Sequence, residues 1–338
     1  MRLIFVKHPQ AAKNYAEHVQ SRWPGEELVL ICTVPNGLNQ PFFPRGIAYS
    51  KYPLVRATDY RANKNWLMRN GDFTSIIRVT EGAEIKSESV SFDGAAKLLT
   101  EAAELTFLGD WDYTGVWGME MLQRHLNPTA DPRPHQVIRN PYGYVKEHLD
   151  IAFLAPKDSS DREYQELLNA GFVKRYFDYN FALNSFAILG NLYRDVFEVK
   201  DPVFIGRNAL LIMQHASYEP KLPYNLKRYL EDWKGTGKYA SGTGRFFEGL
   251  GTSLSCQMVE HDLKMLGIMA TSPDGVGTSW SLTDLGKQFV ARLHKDCYDP
   301  DQSFRLSAWM ERPFGEAKVA IDQYLMTFFR KQKRHQGV

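Results

Sequence analysis

The sequence predicts an α/β domain followed by a mostly helical one, and three observations carry that prediction. An apolar run at 3–6, a helical pattern, and a second apolar run at 28–32 follow one another at the spacing of an α/β unit with a parallel sheet. A third apolar or β-prone run, 105–108, is followed by two acids one residue apart, Asp110 and Asp112, and then by Gly115 and a helix-like segment. Residues 128–135 hold three prolines, and beyond them the pattern turns helical, so the expected domains are 1–132 and 133–338.

In chain order, the first strand stops at Lys7-His8-Pro9, where Pro9 suits the first turn of a helix. Ala12, Tyr15, Ala16, Val19 and Trp23 recur at helical spacing until Pro24-Gly25 ends the run. Residues 33–73 show no clean period, a long irregular stretch for a compact domain. Their cations and rings (Arg45, Tyr49, Lys51, Tyr52, Arg56, Tyr60, Arg61, Lys64, Trp66, Arg69) are the mixture an unpaired nucleic-acid strand favours. A solvated loop anchored by a few aromatics fits them equally well. A strand is expected over 75–80 and a short helix over 94–103. Further helices are expected over 144–155, 161–170, 180–195, 203–216 and 222–234, with Asp201-Pro202 as a break. Residues 234–251 are glycine-rich and basic, a loop by composition.

Thr252 and Ser253 can cap a helix whose apolar face is Leu254, Met258, Leu263 and Leu266. Gly267 ends it, Ile268-Met269 opens a strand, residues 272–277 turn, and Trp280-Ser281-Leu282 returns before Thr283 caps a helix over 284–293. Helix, strand, turn, strand, helix is similar to a winged helix, which sets one helix against DNA. A small α/β packing module has the same pattern. The tail 330–335 is a basic cluster that either touches phosphates or solvates a helix end.

Composition narrows the classes. Hydrophobic residues make up 43% and charged residues 24%, as in an ordinary globular protein. A net charge of +2 leaves any nucleic-acid footprint local. Cys32, Cys256 and Cys297 are widely spaced and odd in number, which excludes a disulfide framework and fits a reduced compartment. No run approaches the roughly 18 apolar residues of a membrane span, and the first run is too short for a signal peptide, so a cytoplasmic, membrane-free protein is expected.

The acid pair invites chemistry. In a locally extended Asp-x-Asp both carboxylates point to one side, at a strand end where open α/β sheets bind ligands. Two converging carboxylates suit Mg²⁺. Gly-Asp and Asp-Tyr-Thr-Gly are equally good turn chemistry.

Taken in order, several stretches resemble type IA DNA topoisomerases. Met1-Arg-Leu-Ile-Phe-Val-Lys-His-Pro-Gln10 looks like the family's opening strand. Leu108-Gly-Asp110-Trp-Asp112-Tyr-Thr-Gly115 stands where its Toprim domain has Asp-x-Asp-x-Glu-Gly-Glu. Gln136-Val-Ile-Arg139-Asn-Pro is similar to the Arg-bearing strand that closes that domain. Arg175-Tyr-Phe-Asp178 resembles the Arg-x-x-Asp helix of the next domain, and Ile205-Gly206-Arg207 a degenerate Gly-Arg-Val-Gln-Thr-Pro helix. Residues 249–255, with Leu266-Gly-Ile268 and Leu282-Thr-Asp-Leu-Gly286, track the Gly-Ile-Gly-Thr-Pro-Ala-Thr segment and the Leu-Thr-x-x-Gly helix. The chain also departs from the family. Lys7 replaces the catalytic acid, Thr114 and Val116 replace both glutamates, and only residues 213–248 stand where the gate domains and their Tyr-Pro-Arg-Thr nucleophile belong.

The resemblance implies a Toprim-like α/β domain joined to a mostly α, winged-helix-bearing domain: a topoisomerase core without its gate. It implies a DNA-binding protein that holds a single strand between its domains, in DNA processing of the kind plasmids and mobile elements need. Lys7, Arg139, Arg175, Arg207, Thr252, Ser253 and Ser255 would contact DNA phosphates, and Asp110 with Asp112 would be the Mg²⁺ site. One alternative is a Mg²⁺-dependent nickase or relaxase with Tyr176 or Tyr179 as nucleophile, although plain helix packing explains both tyrosines. Another is a structural subunit that binds a protein partner.

Overall fold

The computed structural model describes residues 1–6, 9–32, 39–62, 75–79, 85–139, 146–219, 221–223, 253–273, 278–297, 299 and 301–337. The chain forms two compact units, Met1–Phe42 with Asp59–Phe172, and Phe43–Thr58 with Val173–Val338.

The first unit is a helix-covered mixed sheet. Its elements are β1 (Arg2–Val6), α1 (Pro9–Arg22), β2 (Leu28–Cys32), β3 (Asn39–Pro41), β4 (Tyr60–Ala62), β5 (Ser75–Val79), β6 (Ile85–Ser89), α2 (Phe92–Glu101), β7 (Glu104–Gly109), α3 (Tyr113–Leu126), β8 (Gln136–Arg139), α4 (Lys146–Leu154) and β9 (Lys157–Asp158). The helix α5 (Arg162–Phe197) begins here and runs on into the second unit. Seven strands stand in the order β6-β5-β2-β1-β7-β8-β9. β2, β1, β7 and β8 are mutually parallel, β5 and β9 run antiparallel to them on either side, and β6 pairs antiparallel with β5.

The apolar runs are continuous rather than alternating because both sheet faces are covered. Leu3, Phe5, Val29, Ile31, Leu105 and Phe107 pack under Leu98, Leu99, Val116, Met119 and Leu122 of α2 and α3. Ile4, Val6, Leu28, Leu30, Leu108 and Ile138 pack on the other face against Tyr15, Val19, Leu149 and Phe153 of α1 and α4. Successive residues of each strand thus serve opposite cores, as the period of two requires.

The second unit is mostly helical. It contains a 3₁₀ turn (Tyr49–Lys51), the remainder of α5, then α6 (Arg207–Tyr218), β10 (Leu222–Pro223), α7 (Ser253–Met265), β11 (Met269–Pro273), β12 (Thr278–Leu282), α8 (Asp284–Ala291), α9 (Gln302–Met310) and α10 (Phe314–His335). Its antiparallel sheet has the order β10-β12-β11. One core runs from Phe177, Phe181, Leu189 and Leu192 of α5 through Leu210 and Met213 to Phe289, Trp309, Ile321 and Phe329.

The structure differs from expectation in four places. The proline-rich stretch does not divide the chain: β8 extends the sheet beside β7, pairing Thr106 with Gln136 and Gly109 with Arg139, so residues 133–172 complete the first unit. The helices expected at 161–170 and 180–195 are a single 36-residue helix, because no proline lies between them. Residues 43–58 belong to the second unit, where Tyr49, Tyr52 and Val55 pack on its core. The helix expected at 222–234 begins as strand β10, and residues 224–234, like the glycine-rich 234–251, lie outside the described residues. Among the described residues, no helix is long and apolar enough to cross a membrane.

Candidate functional site: a cationic cluster on the long helix

The strand order of the first unit reverses direction between β1 and β7, which makes their carboxyl ends the switch point where open sheets take ligands. Asp110 and Asp112 follow β7 directly, and Arg139 ends β8 opposite Gly109. Asp112 is the N-cap of α3, and its Oδ1 accepts from the backbone N–H groups of Thr114 (2.8 Å) and Gly115 (2.7 Å). Such a cap is worth about 1 kcal/mol. Gly115 is required there, since a Cβ would collide with the Asp110 carbonyl oxygen. Trp111, between the acids, donates from its indole to Glu163 Oε1 at 2.8 Å, and Lys157 pairs with Glu163 at 3.4 Å. Trp111 and Lys157 together hold the Glu163 carboxyl below its usual range, with Arg139 adding to the effect.

No group of three or more His, Cys, Asp or Glu side chains among the described residues could hold a metal ion. One oxygen of Asp112 is already turned into its own helix, so a magnesium ion would compete with the cap. Lys7 and Thr252 lie outside the described residues. Ser253 and Ser255 are in the first turn of α7, with their side chains outside the description.

The second unit is where predicted residues meet. Lys174, Arg175 and Asp178 share one stretch of α5, with the Lys174 ammonium paired to Asp178 and Arg175 Nη1 at 3.9 Å from the same carboxylate. Arg207, the first residue of α6, acts electrostatically on both Lys174 and Asp178, and its Nη1 donates to Ser303 Oγ at 3.1 Å. Residues 203–207 reach that position by running back along α5. A Cβ on Gly190 would strike the Val203 carbonyl, and Ser185 Oγ donates to Ile205 O at 2.6 Å. The return leaves Arg207 beside the turn that carries Asp178.

The charges are coupled. Burial pulls the Lys174 ammonium down to about 8; Asp178 opposes this, while Arg207 and Arg175 add to it. Burial also opposes ionisation of Asp178, but Lys174, Arg207 and Arg175 outweigh it and hold the carboxyl below its usual range. A half-buried acid surrounded by three cations is an arrangement suited to a further anion. Lys174 was not among the expected residues, although its i,i+4 spacing to Asp178 was readable.

The two candidate nucleophiles sit in the core. Tyr176 is 2% exposed and its hydroxyl donates to Asp322 Oδ1 at 2.6 Å. Burial first, and that hydrogen bond second, raise its pKa and oppose the phenolate a nucleophile needs. Tyr179 is equally buried and packs on Phe43 with ring centroids 5.1 Å apart. Packing accounts for both.

The aromatic and basic residues of the irregular stretch are divided. Tyr60 packs edge-on to Trp117, and Arg61 pairs with Asp59 while covering Phe42. Arg56 and Leu54 are held by their backbones: the carboxamides of Asn180 and Asn184 each accept from one N–H and donate to the carbonyl of the same residue. Arg45, Lys51 and Arg56 keep exposed side chains, and Lys64, Trp66 and Arg69 lie outside the described residues. No protein-family model matches the chain, and no curated protein matches it either.

Proposed function

We propose that the chain is a nucleic-acid-binding protein of type IA topoisomerase-like design without the gate, and that it grips the phosphates of single-stranded DNA through Lys174, Arg175 and Arg207. One observation carries this: Arg175-x-x-Asp178 and Gly206-Arg207, taken from separate segments by the resemblance, join a single charge cluster. Two arrangements add support. Acids follow a parallel strand at a sheet's switch point, as a Toprim-like domain implies, and helix, short strand, helix and hairpin in the order β10-β12-β11 suit a winged helix.

On this view Arg175 and Arg207 supply fork-like donors to phosphate oxygens and Lys174 a point charge, while Asp178 spaces the cations. Arg139 is a further phosphate contact at the strand end. Mg²⁺ has no assigned step.

The test is binding of a labelled oligothymidine across a salt series, with and without Mg²⁺. Affinity should fall log-linearly with salt, and Arg207→Ala should weaken binding and reduce the slope by about 0.7, the share of one single-strand phosphate. Salt-independent binding, or an unchanged slope in Arg207→Ala, would sink the proposal. Nicking of supercoiled plasmid with a covalent protein–DNA adduct would replace it with the nickase reading.

A further inference from the structure

The same return of residues 203–207 along α5 brings Phe204 to Phe186 of that helix, and Phe43 packs on Phe186 as well. Phe186 and Phe204 have ring centroids 5.5 Å apart, and Phe43 lies 5.8 Å from Phe186. Phe186 is 37% exposed and Phe204 45%, an unusual amount of ring surface to leave in water at one spot. Their place relative to the cations is set by the helix. Arg175, Tyr179, Ala182 and Phe186 are spaced by four, three and four residues, so they line one face. From Asp178 to Phe186 the helix rises about 12 Å, and from Phe204 to Arg207 an extended chain covers about 10 Å. Stacked nucleotides advance about 3.4 Å each, so roughly three bridge the gap.

We infer that Phe186 and Phe204, with Phe43 behind them, form a shelf on which the unpaired bases of a single strand stack while Lys174, Arg175 and Arg207 hold its phosphates. Charge complementarity selects this occupant: an apolar shelf ending in a cation cluster matches a polymer with flat faces and an anionic backbone. A paired duplex hides its base faces and cannot use the shelf. The inference rests on the single-strand reading above and adds what the bases do.

The experiment uses the full chain and two probes of equal length, oligothymidine and an abasic oligonucleotide with the same phosphates. Phe204→Ala, which removes an exposed ring, should weaken oligothymidine binding about five- to 150-fold, the range for one lost base–aromatic stack. It should leave abasic binding and the salt slope unchanged. Phe204→Tyr should restore the affinity and Phe204→Leu should not, and equal thermal melting of the three variants checks the fold. Undiminished oligothymidine affinity in both Phe204→Ala and Phe186→Ala, with Arg207→Ala still weakened, would overturn the shelf and leave the phosphate site standing. Salt-independent binding of either probe would overturn both. Self-association of the chain that Phe204→Ala abolishes would assign the shelf to a second copy and also overturn it.

Discussion

Replacing Asn184 by Ala isolates what holds residues 43–58 on the second unit. Asn184 is fully buried, accepts from Leu54 N–H at 2.8 Å and donates to Leu54 O at 2.7 Å. Asn180, one turn earlier, does the same for Arg56 at 2.7 and 3.0 Å. The pair imitates a strand edge on a helix surface, so truncation removes both bonds to Leu54, worth about 1 kcal/mol each, besides the bond Asn184 donates to Asn180 O of its own helix at 2.8 Å. It also leaves a half-buried N–H and carbonyl with incomplete partners, which brings the expected loss to about 2–4 kcal/mol. At about 2–4 °C per kcal/mol for a domain of this size class, melting should fall by roughly 5–15 °C. The assay is urea and thermal denaturation by circular dichroism, with Asn191→Ala as control. Asn191 donates to Ala187 O of its own helix at 2.6 Å, and its loss should cost within about 0.5 kcal/mol. Asn180→Ala combined with Asn184→Ala should cost less than the sum, because one broken clamp already loosens the other. An Asn184→Ala variant as stable as Asn191→Ala would refute the reasoning.

Two pH effects follow from buried cations and imidazoles. Lys174 sits at about 8, so raising pH from 7 to 9 should weaken single-strand binding by removing one cation, and Lys174→Arg should flatten that dependence. An affinity constant over that range would contradict it. Burial holds His135 below its usual range, with its Nε2 2.9 Å from the Tyr164 hydroxyl and Gln123 Nε2 3.1 Å from Nδ1. His125 and His215 are depressed by burial too. The unfolded chain therefore binds more protons, and stability present above about pH 6.5 should decline on acidification toward pH 5.5, before carboxylates titrate. A urea midpoint that is flat from pH 7.5 to 5.5 would count against this.

The runs at 3–6, 28–32 and 105–108 were legible as strands because a sheet covered on both faces favours apolar or β-prone residues at successive positions. The acids at a strand end were legible for the same reason. Their use was not: the cap bonds of Asp112 depend on where Thr114 and Gly115 turn their N–H groups. The helices α9 and α10 went unread, although Ile321, Leu325 and Phe328 recur at helical spacing.

Local chemistry by itself determined elements and their residue types: strands by apolar runs, Thr283 as a cap accepting from Gly286 N–H, Arg175 and Asp178 on one helix face. Only tertiary structure decided the rest. Arg207 lies far along the chain from Arg175, and they share a charge cluster because Gly190 admits the Val203 carbonyl and the chain turns back along α5. The exposed phenylalanines meet through the same close approach. Such long-range juxtaposition depends on the packing of whole elements, which no local pattern of side chains encodes.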